Sequence, residues 1–527
     1  MLSPSANDLI QEGLRQRGLK GTAAAVRFFE GAARLCPDSH LPPFMLGNAA
    51  AEMGQLDAAA EFYRRARELQ PNDHVIRYNL GQVHYWRGYI VDAIEELDCA
   101  RHLMPSYLPA QTAYIMALHN FDGAAPDQIA ATVREWGSQF APKHSHRMKV
   151  GPNRPSNGRI RVGFVSGDFR THSVAHFFEP IASARDSRAF EHIFYSNSSH
   201  EDEVTERMKG YADRWRQVWQ LSDDALVELI SADRIDVLVD LSGHTDLNRL
   251  GVFARRPAAV QISYLGYPGS TGLRAMDYRI TDSLTDPSPS ADGWHTEVLL
   301  RLPASQWCFR PFRQRPPDSP KGPRVQGVTF GSFNNLIKLS DTILDCWIKI
   351  LNRVPEARFR LARVRSARRA EDIISRFVRG GVSRERIECV PYRTEAPHGR
   401  QFEGVDIALD SFPYNGVTTT CEALYLGVPV VTLHGSHGVS RSGLSILTTL
   451  GAQRLVASRP EQYVDIAVGL ARTPGEIDRV RADLKERFER SPLRNERGFA
   501  VAFENLLREA IERSLLCRDG SEVGDSA

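Results

Sequence analysis

Three threonines stand in a row, Thr418-Thr419-Thr420, just after the turn-forming pair Asn415-Gly416 in the segment DSFPYNGVTTT. They follow a β-branched run at Ile407–Leu409 and open a helix-forming stretch, so the pattern predicts a strand, a turn and a helix start. The first amides of a helix lack intrahelical partners and lie at the positive end of its dipole, which suits a diphosphate. Helix capping accounts for one threonine, and three in succession favour an anion site. Lys338, just past the run Val328–Phe333 in FNNLIK, is a second group able to neutralise phosphate.

Two further loops carry imidazoles. In SGDFRTHSVAH, His172 and His176 are four apart, but Ser173 stands where a zinc-protease pair needs glutamate, so no metal site is expected. His172 follows a strand and is a candidate acid or base. In DLSGHT, Asp240 and His244 offer a carboxylate and an imidazole, although capping the next turn is an equal duty for Asp240. The loop Leu265-Gly266-Tyr267-Pro268, within LGYPGSTG, lets backbone approach a sugar or diphosphate, and it matches neither a Walker loop nor GxGxxG.

These loops need strands behind them. After residue 158 the chain reads as short β-branched runs alternating with helical stretches, which implies parallel sheets with crossover helices. One set of strands is expected at Ile160–Val165, His192–Tyr195, Asp236–Asp240, Val260–Tyr264 and Tyr278–Thr281. A proline-rich join, Pro311–Pro323, precedes Val328–Phe333, Arg358–Leu361, Ile387–Val390, Ile407–Leu409, Val428–Leu433 and Arg454–Val456. Two such α/β halves put a ligand cleft at the carboxyl ends of their strands.

Ahead of them lies a repeat. Pro37, Pro71 and Pro105 are 34 apart; Ala32, Ala66 and Ala100 precede them by five, and Ala25, Ala59 and Ala93 by twelve. Leu46-Gly47 recurs as Leu80-Gly81, and Gly54 as Gly88. Small residues allow paired helices to approach closely, and proline ends the second of each pair. The array resembles tetratricopeptide repeats, with helices at 108–140 expected to cap it. The expected organisation is a repeat domain at 1–140, a linker at 141–158, one catalytic lobe at 159–310, a nucleotide-binding lobe at 324–517 and a flexible tail at 518–527.

Composition bounds the partners. A net charge of +2 and no basic stripe with interleaved aromatics give no sign of nucleic acid. No apolar stretch approaches a membrane span, and the first residues do not read as a secretory leader. Seven scattered cysteines, none spaced CxxC, argue against disulfides and structural zinc, so a reducing, cytoplasmic setting is expected.

In their order, RVGFVSGDFRTHSVAH, LVDLSGHT, RRPAAVQISYLGYPGSTG with MDYRITD, FGSFNNLIKLS, and LDSFPYNGVTTTCEALYLGVPVVTLHG with SRSGLSIL resemble the O-linked N-acetylglucosamine transferases, including the SPINDLY-like members. The resemblance implies an all-α repeat superhelix followed by an α/β GT-B unit of two Rossmann-like domains. It implies inverting, metal-independent transfer of N-acetylglucosamine from UDP-GlcNAc to serine or threonine of proteins, with no cofactor. Acceptor proteins or peptides would lie along the repeat groove.

By position, the resemblance makes His172 an active-site residue. Asn335, Lys338, Arg393, His398, Thr418, Thr419, Thr420 and Glu422 fall at nucleotide contacts, and Leu265 to Pro268 beside the sugar, near His244. His172, Asp240 and Lys338 are the catalytic candidates. Val417 replaces a histidine of the animal enzymes and Glu395 a lysine, removing two donors to the nucleotide. Protein O-fucosylation from a guanosine-diphosphate donor and a repeat scaffold with a degenerate transferase are therefore the alternatives.

Overall fold

The structure is a computed structural model that describes residues 4–140, 158–312, 327–392, 400–473 and 475–519. Arg393, Glu395, His398 and almost all of the expected linker, proline-rich join and tail lie outside them. The chain forms two compact units. One comprises 1–124, 329–396 and 411–414; the other comprises 125–328, 397–410 and 415–527.

The first unit opens with helices α1 (Pro4–Lys20), α2 (Thr22–Leu35), α3 (Leu41–Glu52), α4 (Leu56–Leu69), α5 (His74–Arg87), α6 (Ile90–Leu103) and α7 (Leu108–Leu118). The repeated small residues sit where these helices touch. Ala25, Ala59, Ala93, Ala32, Ala66 and Ala100 are all fully buried. A Cβ on Gly47 would stand 2.6 Å from the Tyr63 ring, and one on Gly81 would stand 2.7 Å from Leu97. Pro37, Pro71 and Pro105 each follow the end of α2, α4 and α6, as a residue without an N–H requires. The unit also carries three parallel strands, numbered in chain order after the seven of the other unit: β8 (Thr329–Ser332), β9 (Arg358–Val364) and β10 (Ile387–Pro391), in the order β10-β9-β8.

The second unit begins with α8 (Pro126–Ser138), expected from sequence to cap the repeats. Its partners explain the difference. A Cβ on Gly137 would fall 1.9 Å from the Gly272 carbonyl oxygen, and Trp136 stacks edge-on with His244 at 4.4 Å. Seven parallel strands follow: β1 (Ile160–Ser166), β2 (Phe190–Ser196), β3 (Arg214–Gln217), β4 (Val237–Asp240), β5 (Val260–Ser263), β6 (Tyr278–Asp282) and β7 (Val298–Leu302). Their order is β3-β2-β1-β4-β5-β6-β7, so the winding reverses between β1 and β4. Strands β3 and β7 were not expected. β3 reads RWRQ, with no apolar run, because its arginines pair with Asp233 and Glu191.

The second unit also holds β11 (Ile407–Leu409), β12 (Val430–Leu433) and β13 (Val456–Ala457), parallel in that order. The last expected strand is mostly a tight 3₁₀ turn at Gln453–Leu455, with only Val456 and Ala457 pairing. Helix Glu496–Asp519 closes the described chain and packs on helix Ala175–Ala184.

Candidate active site

The switch point of the seven-stranded sheet carries two of the chemical loops. Val165 of β1 lies in register with Asp240 of β4, so the loops that leave these strands start side by side. In the first loop, His172 Nδ1 stands 3.4 Å from Asp168 Oδ2, and the Val174 N–H approaches the same nitrogen at 3.3 Å. The His172 side chain keeps 39% of its surface exposed, whereas Asp168 is buried. Desolvation holds the imidazole below its ordinary pKa, with Asp168 pulling the other way, and burial raises the Asp168 carboxyl. The other loop histidine, His176, is buried and bonds through Nδ1 to the Arg310 carbonyl.

Asp240 performs the capping duty that its sequence context allowed. Its carboxylate accepts from the Ser242 N–H at 3.1 Å and the Gly243 N–H at 2.9 Å, and the side chain is wholly enclosed. Burial pushes its pKa up to about 6. His244 is equally enclosed, between Trp136 and Tyr267, with Nε2 at 3.0 Å from the Thr271 carbonyl and Nδ1 without a hydrogen-bond partner. Burial drives it down to about 4. It supports Tyr267 from behind and does not open to a ligand.

The loop it supports is strained. Leu265 adopts φ +80, a conformation that costs a bulky residue of order 1–3 kcal/mol and marks a backbone held by its surroundings. Gly266 follows because a Cβ there would meet the Leu241 carbonyl at 2.0 Å. Buried Arg279 fixes the far end, donating to the Tyr267 carbonyl at 2.8 Å. The Pro268 carbonyl then faces Gly438, whose Cβ would lie 3.2 Å away. The SRSGLSIL segment is tied to the end of β6, since Ser445 Oγ donates to Asp282 at 2.8 Å and Arg441 to the Leu284 carbonyl at 2.8 Å.

The threonine run opens helix Thr418–Tyr425, preceded by Val417 in place of a capping side chain. Thr418 and Thr419 are half-buried at its first positions; Thr420 is buried and its hydroxyl donates to the Gly416 carbonyl at 2.8 Å. Glu422 is buried one turn on. The preceding turn is set by Asp410, which accepts from the Gly416 N–H at 2.8 Å and the Thr432 hydroxyl at 2.7 Å. Asn415 donates to the Leu433 carbonyl at 3.1 Å. Asp168, Arg279 and Asp410 lie inside these motifs at positions whose spacing signals no role; their burial and partners reveal what they hold.

In the first unit, Asn335 precedes a 3₁₀ turn, Leu336–Lys338, and its side chain accepts from the Ile337 N–H. Lys338 Nζ lies 4.0 Å over the ring of Tyr414, a cation–π contact that fixes the ammonium. Among the described residues no cluster of histidine, cysteine, aspartate and glutamate could hold a metal ion. No helix among them is long and apolar enough to cross a membrane.

A helical repeat array and two parallel-sheet, Rossmann-like domains make a GT-B type of fold, and the chain belongs to glycosyl transferase family 41, whose model matches residues 111–307 and 322–503. A tetratricopeptide-repeat model matches 47–88. Among relatives, the probable UDP-N-acetylglucosamine–peptide N-acetylglucosaminyltransferase SPINDLY of Petunia hybrida is 34% identical over 412 residues, 76% of this chain and 44% of that protein. The probable transferase SEC of Arabidopsis thaliana is 30% identical over 341 residues, 62% of this chain and 34% of that protein. A solved lysine-to-methionine mutant of Thermobaculum terrenum O-GlcNAc transferase is 34% identical, with a TM-score of 0.86 over 98% of this chain and 100% of that one. The chain spans less than half the length of the curated relatives it matches.

Proposed function

We propose that this chain transfers N-acetylglucosamine from UDP-GlcNAc to serine or threonine hydroxyls of proteins, with inversion and without a metal. The acceptor hydroxyl forms a bond to the anomeric carbon on the face opposite the diphosphate. The carbon–phosphate oxygen bond breaks, and UDP leaves with the bonding electrons. Lys338 neutralises that departing charge, and the amides at Thr418 and Thr419 donate to it. The acceptor proton passes to His172, whose imidazole lies 3.4 Å from the buried Asp168 carboxyl, a neighbour that favours the charged ring. Asp240, enclosed with its carboxylate already engaged, holds the neighbouring turn instead of taking the proton. Acceptor segments lie along the repeat array, and the setting is cytoplasmic.

The observation that supports this reading is the helix start at Thr418, whose leading turn is fixed by the buried Asp410–Gly416 hydrogen bond. Its donors need no metal to meet a diphosphate. The test is thermal shift with UDP, UDP-GlcNAc, GDP and GDP-fucose, since a ligand of the native state raises the melting point. UDP and its sugar are expected to stabilise the protein, and Lys338→Ala to cost about 10²–10³ in turnover. Stabilisation by the guanosine pair alone would move the assignment to fucose transfer. Response to none of the four would leave a scaffold.

A further inference from the structure

The turn that carries Lys338 packs against the repeat array, where Gly88 makes a close backbone contact with it. Gly88 ends α5 at φ +85, with its own N–H on the Tyr85 carbonyl and the Tyr89 N–H on the His84 carbonyl, both at 2.9 Å. A Cβ at this position would stand 2.9 Å from the carbonyl oxygen of Leu336 and 3.1 Å from its carbon. That oxygen accepts the Leu339 N–H at 3.2 Å, the bond that closes the turn Leu336–Lys338. Leu336 is itself buried.

The contact is clamped on both flanks. Before Gly88, Arg87 donates to Asp57 at 2.8 Å, and the Ser366 hydroxyl donates to the same oxygen at 2.8 Å. After it, the Tyr89 hydroxyl donates to Asp372, and the Arg369 guanidinium lies 5.0 Å over the Tyr89 ring. Helix Ala367–Arg379 and its leading turn are thereby bound to the repeats on either side of the glycine. The equivalent glycine one repeat earlier, Gly54, has the same left-handed backbone at φ +72, yet a Cβ there meets nothing within 4 Å.

We infer that Gly88 is a positioning residue for the donor site: the third repeat sets the height of the Leu336 carbonyl, and through it the place of Lys338. Binding events on the repeats can thus reach the nucleotide through backbone contact. The inference rests on the proposed role of Lys338 at the diphosphate.

The pair Gly54 and Gly88 supplies its own control, because alanine at either imposes the same left-handed backbone penalty and only one adds the clash. UDP affinity by calorimetry, melting point and the KM values for donor and acceptor would be measured for Gly54→Ala, Gly88→Ala, Gly88→Asn and Lys338→Ala. Asparagine tolerates the left-handed region, so Gly88→Asn keeps the clash with less strain and decides the matter should Gly88→Ala fail to fold. Gly88→Ala is expected to melt below Gly54→Ala by the cost of the clash alone, which is why UDP affinity is read on the folded proteins. UDP binding and donor KM should worsen by about 10-fold or more only at position 88, an ångström of misplacement being enough for that, while acceptor KM stays put. Equal UDP affinity in the position-88 variants and Gly54→Ala would overturn the inference. Wild-type UDP affinity in Lys338→Ala would overturn instead the assignment beneath it.

Discussion

At the scale of single residues, the chemistry turns on His172 being neutral. Burial lowers its pKa, so the accepting form persists to a pH below the ordinary histidine value of about 6.5. Asp168 acts in the opposite sense, favouring the charged imidazole from 3.4 Å. The acid limb of kcat/KM should therefore fall below about pH 6.5 and move further down in Asp168→Asn, since removing the carboxylate removes the influence that raises the pKa. Rate should also drop in that variant, the imidazolium that forms on taking up the proton having lost the carboxylate beside it. A pH–rate profile of both proteins decides it: a limb at neutral pH, or an upward move in the variant, contradicts the role given to His172.

Between elements, what sequence exposed and what it hid divide along one line. Periodicity was legible wherever a residue's fate depends on its own neighbours in the chain. The alanines at 25, 59 and 93 recur because each must let one helix touch the next, and all are buried. The runs that became β1, β4 and β11 announced themselves by β-branched content, and they placed His172, Asp240 and Thr418 at strand or helix ends. Tertiary pairings were not legible. β3 is an arginine-rich edge held by acidic partners, and α8 is an amphipathic helix whose sequence does not say which unit receives its apolar face. The positioning carboxylate of Asp410 was hidden for the same reason. The α8 packing makes a sharp claim. Gly137 and Gly272 meet backbone to backbone, so Gly137→Ala should cost about 1–3 kcal/mol or more in denaturant unfolding by overpacking. Gly18→Ala, within α1 and with open space around it, should instead gain about 0.5–1 kcal/mol from helix propensity. A neutral Gly137→Ala would mean that α8 does not pack as described.

For the whole molecule, acid sensitivity follows from histidines folded in the neutral state. Burial takes His84 down to about 4 in the first unit, and His192 to about 3 and His244 to about 4 in the second. Above about pH 6.5 these groups are neutral whether the chain is folded or not, and they leave stability unchanged. As pH falls below that value the unfolded chain takes up protons that the folded one refuses, so stability declines until the folded pKa values are reached. Asp240 works against this: raised to about 6, it binds a proton in the folded state before an unfolded aspartate does. Three histidines outweigh one aspartate, and the melting point should fall between pH 6.5 and 5. His192 isolates the cause. It is fully enclosed beside Phe164, ring centroids 4.9 Å apart, and both of its nitrogens are buried without hydrogen-bond partners. His192→Phe keeps an aromatic ring in that place and removes the titration. It should recover about 1–2 kcal/mol of the acid loss across the window, each proton being worth about 1.4 kcal/mol per pH unit. Melting curves of the two proteins at pH 7.5 and pH 5 give the answer, because an acid loss of equal size in both would mean that the buried imidazoles are not what acid attacks.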